Sequence, residues 1–291
     1  MTYYVKTDCK EFTNSMKEEL EKYGMKESSN FPVDFVFLSG QWEYYKNHIN
    51  LKKSLLTNLI QYPDITDKSK LYEKFKGESF IKDSITITDK IPELPSKFLK
   101  ILKPVDGFSG KDISIVETRE EIEEWMKKHK HPKWALQDYI KEPALINGHK
   151  FHLRVYVLVI DTHVYVCNKS EFYTSKKPYK QDNWDDKDIH ESSYDITPIK
   201  EQYYPETLPD GWKRKTEFKD IFKIVLKDIK LKPDWNSKNS YYIFGADIMF
   251  EKRKPILIEF NKKPGLVEEL FIIPELLKTL FNKKSLFEQI L

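Results

Sequence analysis

Three oxygen-bearing side chains near the C-terminus carry the first chemical signal. Asp247 interrupts the apolar run Ile243-Phe244-Gly245-Ala246-Asp247-Ile248-Met249-Phe250, and Glu259 interrupts a second run, Ile256-Leu257-Ile258-Glu259-Phe260. Burying either anion without a partner is expensive. The connecting residues centre on Arg253, and a hairpin symmetric about it sets Asp247 opposite Glu259 on one face. Asn261, two residues further on, returns to that face by the period of a strand. Asp247, Glu259 and Asn261 then converge as hard oxygen ligands of the kind that suits Mg²⁺, which is held by one or two carboxylates together with substrate phosphates. The plain alternative is a cross-strand acidic pair relieved by Arg253, Lys262 or Lys263, because Asp opposite Glu is repulsive without a cation.

A second signal lies earlier. Lys103 ends an apolar strand and is followed by Pro104-Val105-Asp106-Gly107-Phe108-Ser109-Gly110-Lys111, with two of the chain's 9 glycines and a lysine at each end. Gly107 and Gly110 allow backbone N–H groups to approach an anion closely, and the two ammonium groups offset phosphate charge. A solvated hairpin loop explains the same residues, and the spacing is not that of a P-loop. The order of the parts is more specific than any one of them: lysine, glycine loop, lysine, then a distal Asp…Glu-x-Asn set, an arrangement able to clamp Mg-ATP.

These groups need a scaffold, and the hydrophobic pattern supplies one. A strand (Tyr3 to Lys6), a helix (Glu11 to Tyr23), a strand (Asp34 to Leu38) and a Lys/Leu-rich helix (Leu51 to Ile60) form a small α/β unit, followed by a helix from Lys68 to Phe75. Strands over Lys97 to Lys103, Ile113 to Val116 and Trp134 to Ile140 surround a helix that starts at Thr118, where Thr118 and Glu121 form a capping box. Phe151 to Ile160 and His163 to Lys169 read as a hairpin, Tyr173 to Pro209 as a polar loop, Glu217 to Leu231 as a helix, and Tyr241 to Asn261 as a second hairpin before a C-terminal helix. The fold class is α+β, with antiparallel sheets flanked by helices. The division is 1–68, 69–149 and 150–291.

Composition bounds the rest. In 291 residues, 40% are hydrophobic and 14% aromatic, enough for a real core and against disorder or a collagen-like chain. Lys+Arg 49 against Asp+Glu 46 leaves +3, too even for a dedicated nucleic-acid binder. Two cysteines, Cys9 and Cys167, make neither a disulfide framework nor a four-ligand zinc site, which suits a reducing compartment and a cytoplasmic assignment. No secretory leader pattern opens the chain, and the longest apolar run, Val155 to Ile160, is far too short to span a membrane.

The stretch Trp134-Ala-Leu-Gln137-Asp138-Tyr139-Ile140-Lys-Glu-Pro143-Ala-Leu-Ile-Asn-Gly148-His-Lys150-Phe151-His152-Leu-Arg154-Val-Tyr-Val-Leu-Val, together with KPVDGFSGKDI and FGADIMFEKRKPILIEFNKKP, resembles the tubulin-tyrosine ligase-like family of the ATP-grasp fold. The likeness runs from about Ile81 to Gly265. It implies that residues 69–149 and 150–291 are central and C-terminal ATP-grasp domains, and that the activity is ATP-dependent ligation of a free amino acid to a carboxylate of an acidic protein or peptide such as the tubulin tail, through an acyl-phosphate. It also implies that Lys103 and Lys111 contact phosphates, that Gln137, Asp138, Tyr139 and Ile140 form a hinge against adenine, that Lys150 binds nucleotide, that Arg154 lies near the acyl-phosphate, and that Asp247, Glu259 and Asn261 hold Mg²⁺.

Departures from the family pattern cluster on the acceptor side. His190, Glu191, Ser192 and Ser193 align with a His-Leu-Thr-Asn motif. Tyr173 stands where tyrosine-ligating members have an arginine for the amino acid, and His152 replaces an acid that helps position nucleotide and substrate. Lys176, Lys177, Lys213, Arg214 and Lys215 are candidates for attracting a glutamate-rich tail, against the plain reading of a solvated face. Two other readings stay open: a small-molecule carboxylate–amine ligase, and a nucleotide-binding pseudoenzyme or adaptor.

Overall fold

The computed structural model describes residues 1–38, 56–58, 64–107, 110–192, 202–203, 215–227, 240–252, 254–262 and 272–291. In chain order these form β1 (Thr2–Lys6), α1 (Lys10–Lys22), β2 (Lys26–Glu27), β3 (Phe35–Leu38), β4 (Leu56–Asn58), α2 (Lys68–Lys74), β5 (Ser84–Ile87), β6 (Lys100–Pro104) and β7 (Ser114–Val116). There follow α3 (Arg119–Lys128), β8 (Trp134–Asp138), β9 (Leu145–Ile146), β10 (His149–Ile160), β11 (His163–Thr174), α4 (Lys187–His190), β12 (Gln202–Tyr203), α5 (Lys215–Leu226), β13 (Ser240–Glu251), β14 (Lys254–Asn261), α6 (Ile272–Leu280) and β15 (Phe287–Gln289).

Local chemistry starts several of these elements where the sequence placed them. Thr118 Oγ1 accepts the Glu121 N–H at 3.2 Å while the Glu121 carboxylate accepts the Thr118 N–H, completing the capping box of α3. Asp67 caps α2 by accepting the N–H groups of Ser69 and Lys70.

Two sheets organise the described residues. In the larger, the path β12-β11-β10-β13-β4-β3-β1-β2 is extended by β14 on β13, β15 on β11 and β9 on β10. The two expected hairpins, β10–β11 and β13–β14, are antiparallel and lie side by side through β10 and β13. The N-terminal strands add in parallel: β4 pairs with the start of β13, then β3, β1 and β2 follow. The smaller sheet is antiparallel, ordered β5-β8-β6-β7, with a core that includes Leu102, Trp134, Leu136 and Ile122 of α3.

The helix expected over Leu51 to Ile60 is replaced at Leu56–Asn58 by β4, whose backbone pairs with β3 and β13; the rest of that stretch lies outside the described residues. Helix propensity is a weak preference, and two adjacent strands override it. The long hairpin also runs five residues further than expected, to Thr174, because Ser170 to Thr174 pair with Val155 back to Phe151. The expected loop after Tyr173 holds the single turn α4.

Strand β10 shows how the fold positions its chemistry. Phe151, Leu153, Val155, Val157 and Val159 face one apolar cluster with Phe244 and with Phe218 and Phe222 of α5. Tyr156 and Leu158 face the other, under Phe12, Met16 and Leu20 of α1 and Ile272 to Leu280 of α6. Towards the start of β10 that second face gives way to Arg154 and His152. Among the described residues no helix is long and apolar enough to cross a membrane.

Candidate functional site

The Asp247–Glu259 pairing exists, and a bulge creates it. Near the turn Glu251 opposes Lys254, Met249 opposes Ile256 and Ile248 opposes Leu257, yet Asp247 opposes Glu259 and Gly245 opposes Asn261. Ile258 is the extra residue. Had the turn-end register continued, Asp247 would oppose Ile258 and the Glu259 side chain would point to the opposite face. The hairpin is therefore not centred on Arg253, which itself lies outside the described residues. The bulge carbonyl of Ile258 is held by the Tyr72 hydroxyl of α2, which donates at 2.7 Å.

Among the described residues, the partners of the two acids come from elsewhere than the hairpin turn. Arg154 Nε donates to Asp247 Oδ1 at 2.5 Å and its Nη2 to Oδ2 at 3.1 Å; Asn261 Nδ2 donates to the same Oδ2 at 3.0 Å. Lys68, one helical turn before Tyr72, meets Glu259 Oε2 at 2.9 Å and donates to the Gly107 carbonyl at 3.0 Å. The cations seen on the pair are thus Lys68 and Arg154; of the turn cations expected to relieve it, Arg253 and Lys263 lie outside the described residues. Burial pushes the Glu259 carboxyl up, but Lys68, Lys103 and Arg154 more than offset this and hold it at about 2. Burial likewise opposes the Arg154 charge, and Asp247 more than restores it, raising its pKa above the ordinary arginine value.

Asp247, Glu259 and Asn261 present oxygen donors without sulfur or imidazole, which fits Mg²⁺. Among the described residues no three His, Cys, Asp or Glu side chains group as a metal cluster. A cation here would therefore rest on two carboxylates and an amide, with the remaining positions taken by water or substrate oxygens.

Two lysines close by have no carboxylate partner among the described residues. Lys103 of β6 is 5% exposed, and its Nζ donates to Gln137 Oε1 of β8 at 2.9 Å and lies 5.0 Å from the Tyr72 ring centre. Lys150 of β10 is 4% exposed, and its Nζ donates to the Tyr139 hydroxyl at 3.0 Å. Burial lowers both ammonium groups to about 7; Lys68 adds to this at Lys103, and Lys103 adds to it at Lys150. The pull of Glu259 on one and Glu191 on the other does not restore them.

Residues expected on the acceptor side gather around the same cluster. Tyr139 Oη lies 3.0 Å from His190 Nδ1, and His190 Nε2 is 3.2 Å from the carbonyls of Asp182 and Asn183, which fixes Nε2 as the donor and Nδ1 as the acceptor of the tyrosine proton. His152 Nδ1 meets Ser192 Oγ at 2.8 Å, and burial lowers its pKa. The Tyr173 ring lies tilted 5.0 Å from His152 and 5.6 Å from the Arg154 guanidinium carbon. Ser193 lies outside the described residues.

Other expected residues stand apart. Lys111 is exposed beyond Gly110. Asp138 pairs with Lys100, and Ile140 packs with Met249 and Ile256. Gly107 is needed sterically, since a Cβ there would come 2.5 Å from Pro104 Cγ. In the lysine patch, Lys177 meets Asp186 at 2.8 Å and Asp188 at 3.3 Å, so its charge is compensated; Lys213 and Arg214 lie outside the described residues. The sequence reading missed Lys68, Tyr72 and Glu171. The first two sit at i and i+4 on a capped helix, a spacing that signals a shared face but not which distant strand it meets.

The family model described as the Tubulin-tyrosine ligase family matches residues 41–233. The chain belongs to the tubulin-tyrosine ligase family. This family member is 23% identical to a nematode protein, "Probable tubulin polyglutamylase ttll-9" of Caenorhabditis elegans, over 87% of the chain and 73% of the relative. It is 27% identical to "Tubulin glycylase 3B" of Drosophila melanogaster, and 25% identical to "Tubulin polyglutamylase TTLL7" of Mus musculus. Those two alignments cover 59% and 57% of the chain but only 26% and 22% of the relatives.

Proposed function

We propose that this member of the tubulin-tyrosine ligase family is an ATP-dependent ligase of ATP-grasp architecture that joins an amino acid to a carboxylate of an acidic protein acceptor, tubulin foremost. The observation that carries this reading is the pair Lys103 and Lys150. Two buried ammonium groups without a carboxylate partner among the described residues are costly, and a polyphosphate is an anion that would offset both charges. The relatives' names, a probable tubulin polyglutamylase and a tubulin glycylase, support an amino-acid donor and a tubulin acceptor.

In the proposed reaction an oxygen of the acceptor carboxylate attacks the γ-phosphorus of ATP, the bond to the β-phosphate oxygen breaks, and ADP leaves. The amine then attacks the acyl carbon, phosphate departs with the bonding pair, and the amine protons pass to solvent. Lys103 and Lys150 would bind phosphate oxygens and Arg154 the acyl-phosphate, while the Gln137–Ile140 segment would flank the base. Mg²⁺, held by Asp247, Glu259 and Asn261, would neutralise phosphate charge.

Glu259→Gln removes one carboxylate ligand and keeps its shape. ADP formation in the presence of mixed amino acids and glutamate-rich peptides is expected to fall by about 100-fold or more, read below the variant's unfolding temperature, which should itself drop because Lys68 loses its carboxylate partner. Near-normal turnover in that variant would sink the assignment. The compensation of Lys177 by Asp186 and Asp188 keeps a second reading, a small carboxylate acceptor; turnover with small diacids but not peptides would select it.

A further inference from the structure

The carboxylate row across the sheet extends beyond Arg154, to a group that neither the metal set nor the lysine pair uses. Glu171 of β11 is directly opposite Arg154 of β10, Arg154 is opposite Asp247 of β13, and Asp247 is opposite Glu259 of β14. Directly paired residues share a face, so these four side chains form one row at about 4.8 Å per strand. Arg154 is turned towards Asp247 by its two hydrogen bonds. Glu171 is left on the other side of the guanidinium. It is 4% exposed, and its two hydrogen bonds come from neutral phenols: Tyr173 donates to Oε2 at 2.9 Å and Tyr156 at 3.5 Å. Its Oε1 is buried with no hydrogen-bond partner among the described residues.

A buried carboxylate oxygen without a donor calls for one, and here the charge also calls for a cation. A primary ammonium supplies both, with three N–H donors on a compact charge. The position is suitable too. The Tyr173 ring spans Arg154 and His152, so Glu171 lies under the part of the site one strand spacing beyond the guanidinium, on the side away from Asp247 and Glu259. A substrate amine resting there would flank the same arginine as the activated carboxylate.

We propose that Glu171 is the specificity-determining residue that receives the ammonium group of the amine substrate, with Tyr173 and Tyr156 holding its second oxygen. This rests on the ligase reading of the site. It makes the ammonium, and not the carboxylate of the incoming amino acid, the group anchored at this end.

The test is calorimetric titration of the full chain, with and without a non-hydrolysable ATP analogue, using glycine and glutamate and their N-acetyl forms. The wild type is expected to prefer the free amines by about 10- to 100-fold. In Glu171→Gln that preference should collapse to within about twofold of none, while affinity for the ATP analogue stays unchanged. Glu171→Asp keeps the charge but withdraws it by one methylene, so an intermediate preference is expected, and it serves if the glutamine variant does not fold. A merely structural role would weaken nucleotide and amine together. Retained preference in Glu171→Gln, or no preference in the wild type, overturns the proposal. Absence of nucleotide binding in the wild type strikes the ligase reading instead, and the titrations without nucleotide still decide Glu171.

Discussion

Two groups of buried charge share this site and are handled in opposite ways. Asp247 and Glu259 arrive with cations already seated, Arg154 in a forked pair and Lys68 at 2.9 Å. Lys103 and Lys150 arrive with an amide oxygen and a phenol. The first group is preassembled and contributes to the folded state, because its desolvation is offset within the chain. The second is left with a deficit of negative charge, which a bound anion would fill. The difference shows up in ionisation: Glu259 is held at about 2, fully charged at neutrality, whereas both lysines fall to about 7.

The comparison breaks most sharply if both groups respond alike to deletion. Removing Arg154, as Arg154→Met, strands the buried Asp247 carboxylate and should cost about 3–5 kcal/mol of stability in urea unfolding. Lys103→Met and Lys150→Met should instead leave the ligand-free chain as stable as before or more so, while lowering affinity for an ATP analogue by about 100-fold. A destabilised Lys103→Met chain with unaltered nucleotide affinity would mean that the lysine serves the fold.

Titration sharpens the contrast. The folded lysines sit at about 7 against an ordinary 10.5, so the folded state resists protonation more than the unfolded one. Their contribution to stability is greatest above 10.5 and declines as pH falls towards 7. Glu259 follows the same direction in a lower window: its contribution is present above 4.5 and lost as pH falls towards 2. Binding a polyanion should return protons to the lysines. At pH 8.5, calorimetry in buffers of different ionisation enthalpy should report net proton uptake that vanishes near pH 5.5, and the Lys103→Met, Lys150→Met double variant should show none at either pH. The smallest expected effect is Tyr72→Phe, which frees the Ile258 bulge carbonyl and should cost about 1 kcal/mol, read by urea unfolding.

The parts of this site that were legible in the sequence are those whose cost is local. A lone Asp or Glu within an apolar strand announces itself, because an unpaired charge there is expensive wherever the strand packs. Asp247 and Glu259 were visible for that reason, and Asn261 by its distance of two residues. The capping box at Thr118 and Glu121 needed only four consecutive positions. Lys68 was invisible because its reason for being where it is lies 191 residues away, at Glu259. The strand at Leu56–Asn58 carries a helix-like pattern because what makes it a strand, pairing with β3 and β13, is distant in sequence. Glu171 gives no such signal, because one charged residue in an alternating strand reads as a solvated face until burial is known.

By itself, the sequence determined the type of chemistry: the oxygen ligands, the lysines around a glycine loop, the two hairpins that carry them, and the motifs that resemble a ligase family. Tertiary structure decided the pairing. It shifted the register by one residue at Ile258 so that Asp247 and Glu259 share a face, gave Asp247 to Arg154 and Glu259 to Lys68, and left Lys103, Lys150 and one oxygen of Glu171 without ionic partners among the described residues. The physical reason is that the cost of burying a charge depends on its residue type, which a sequence records, whereas the relief of that cost depends on which distant strand or helix comes within about 3 Å.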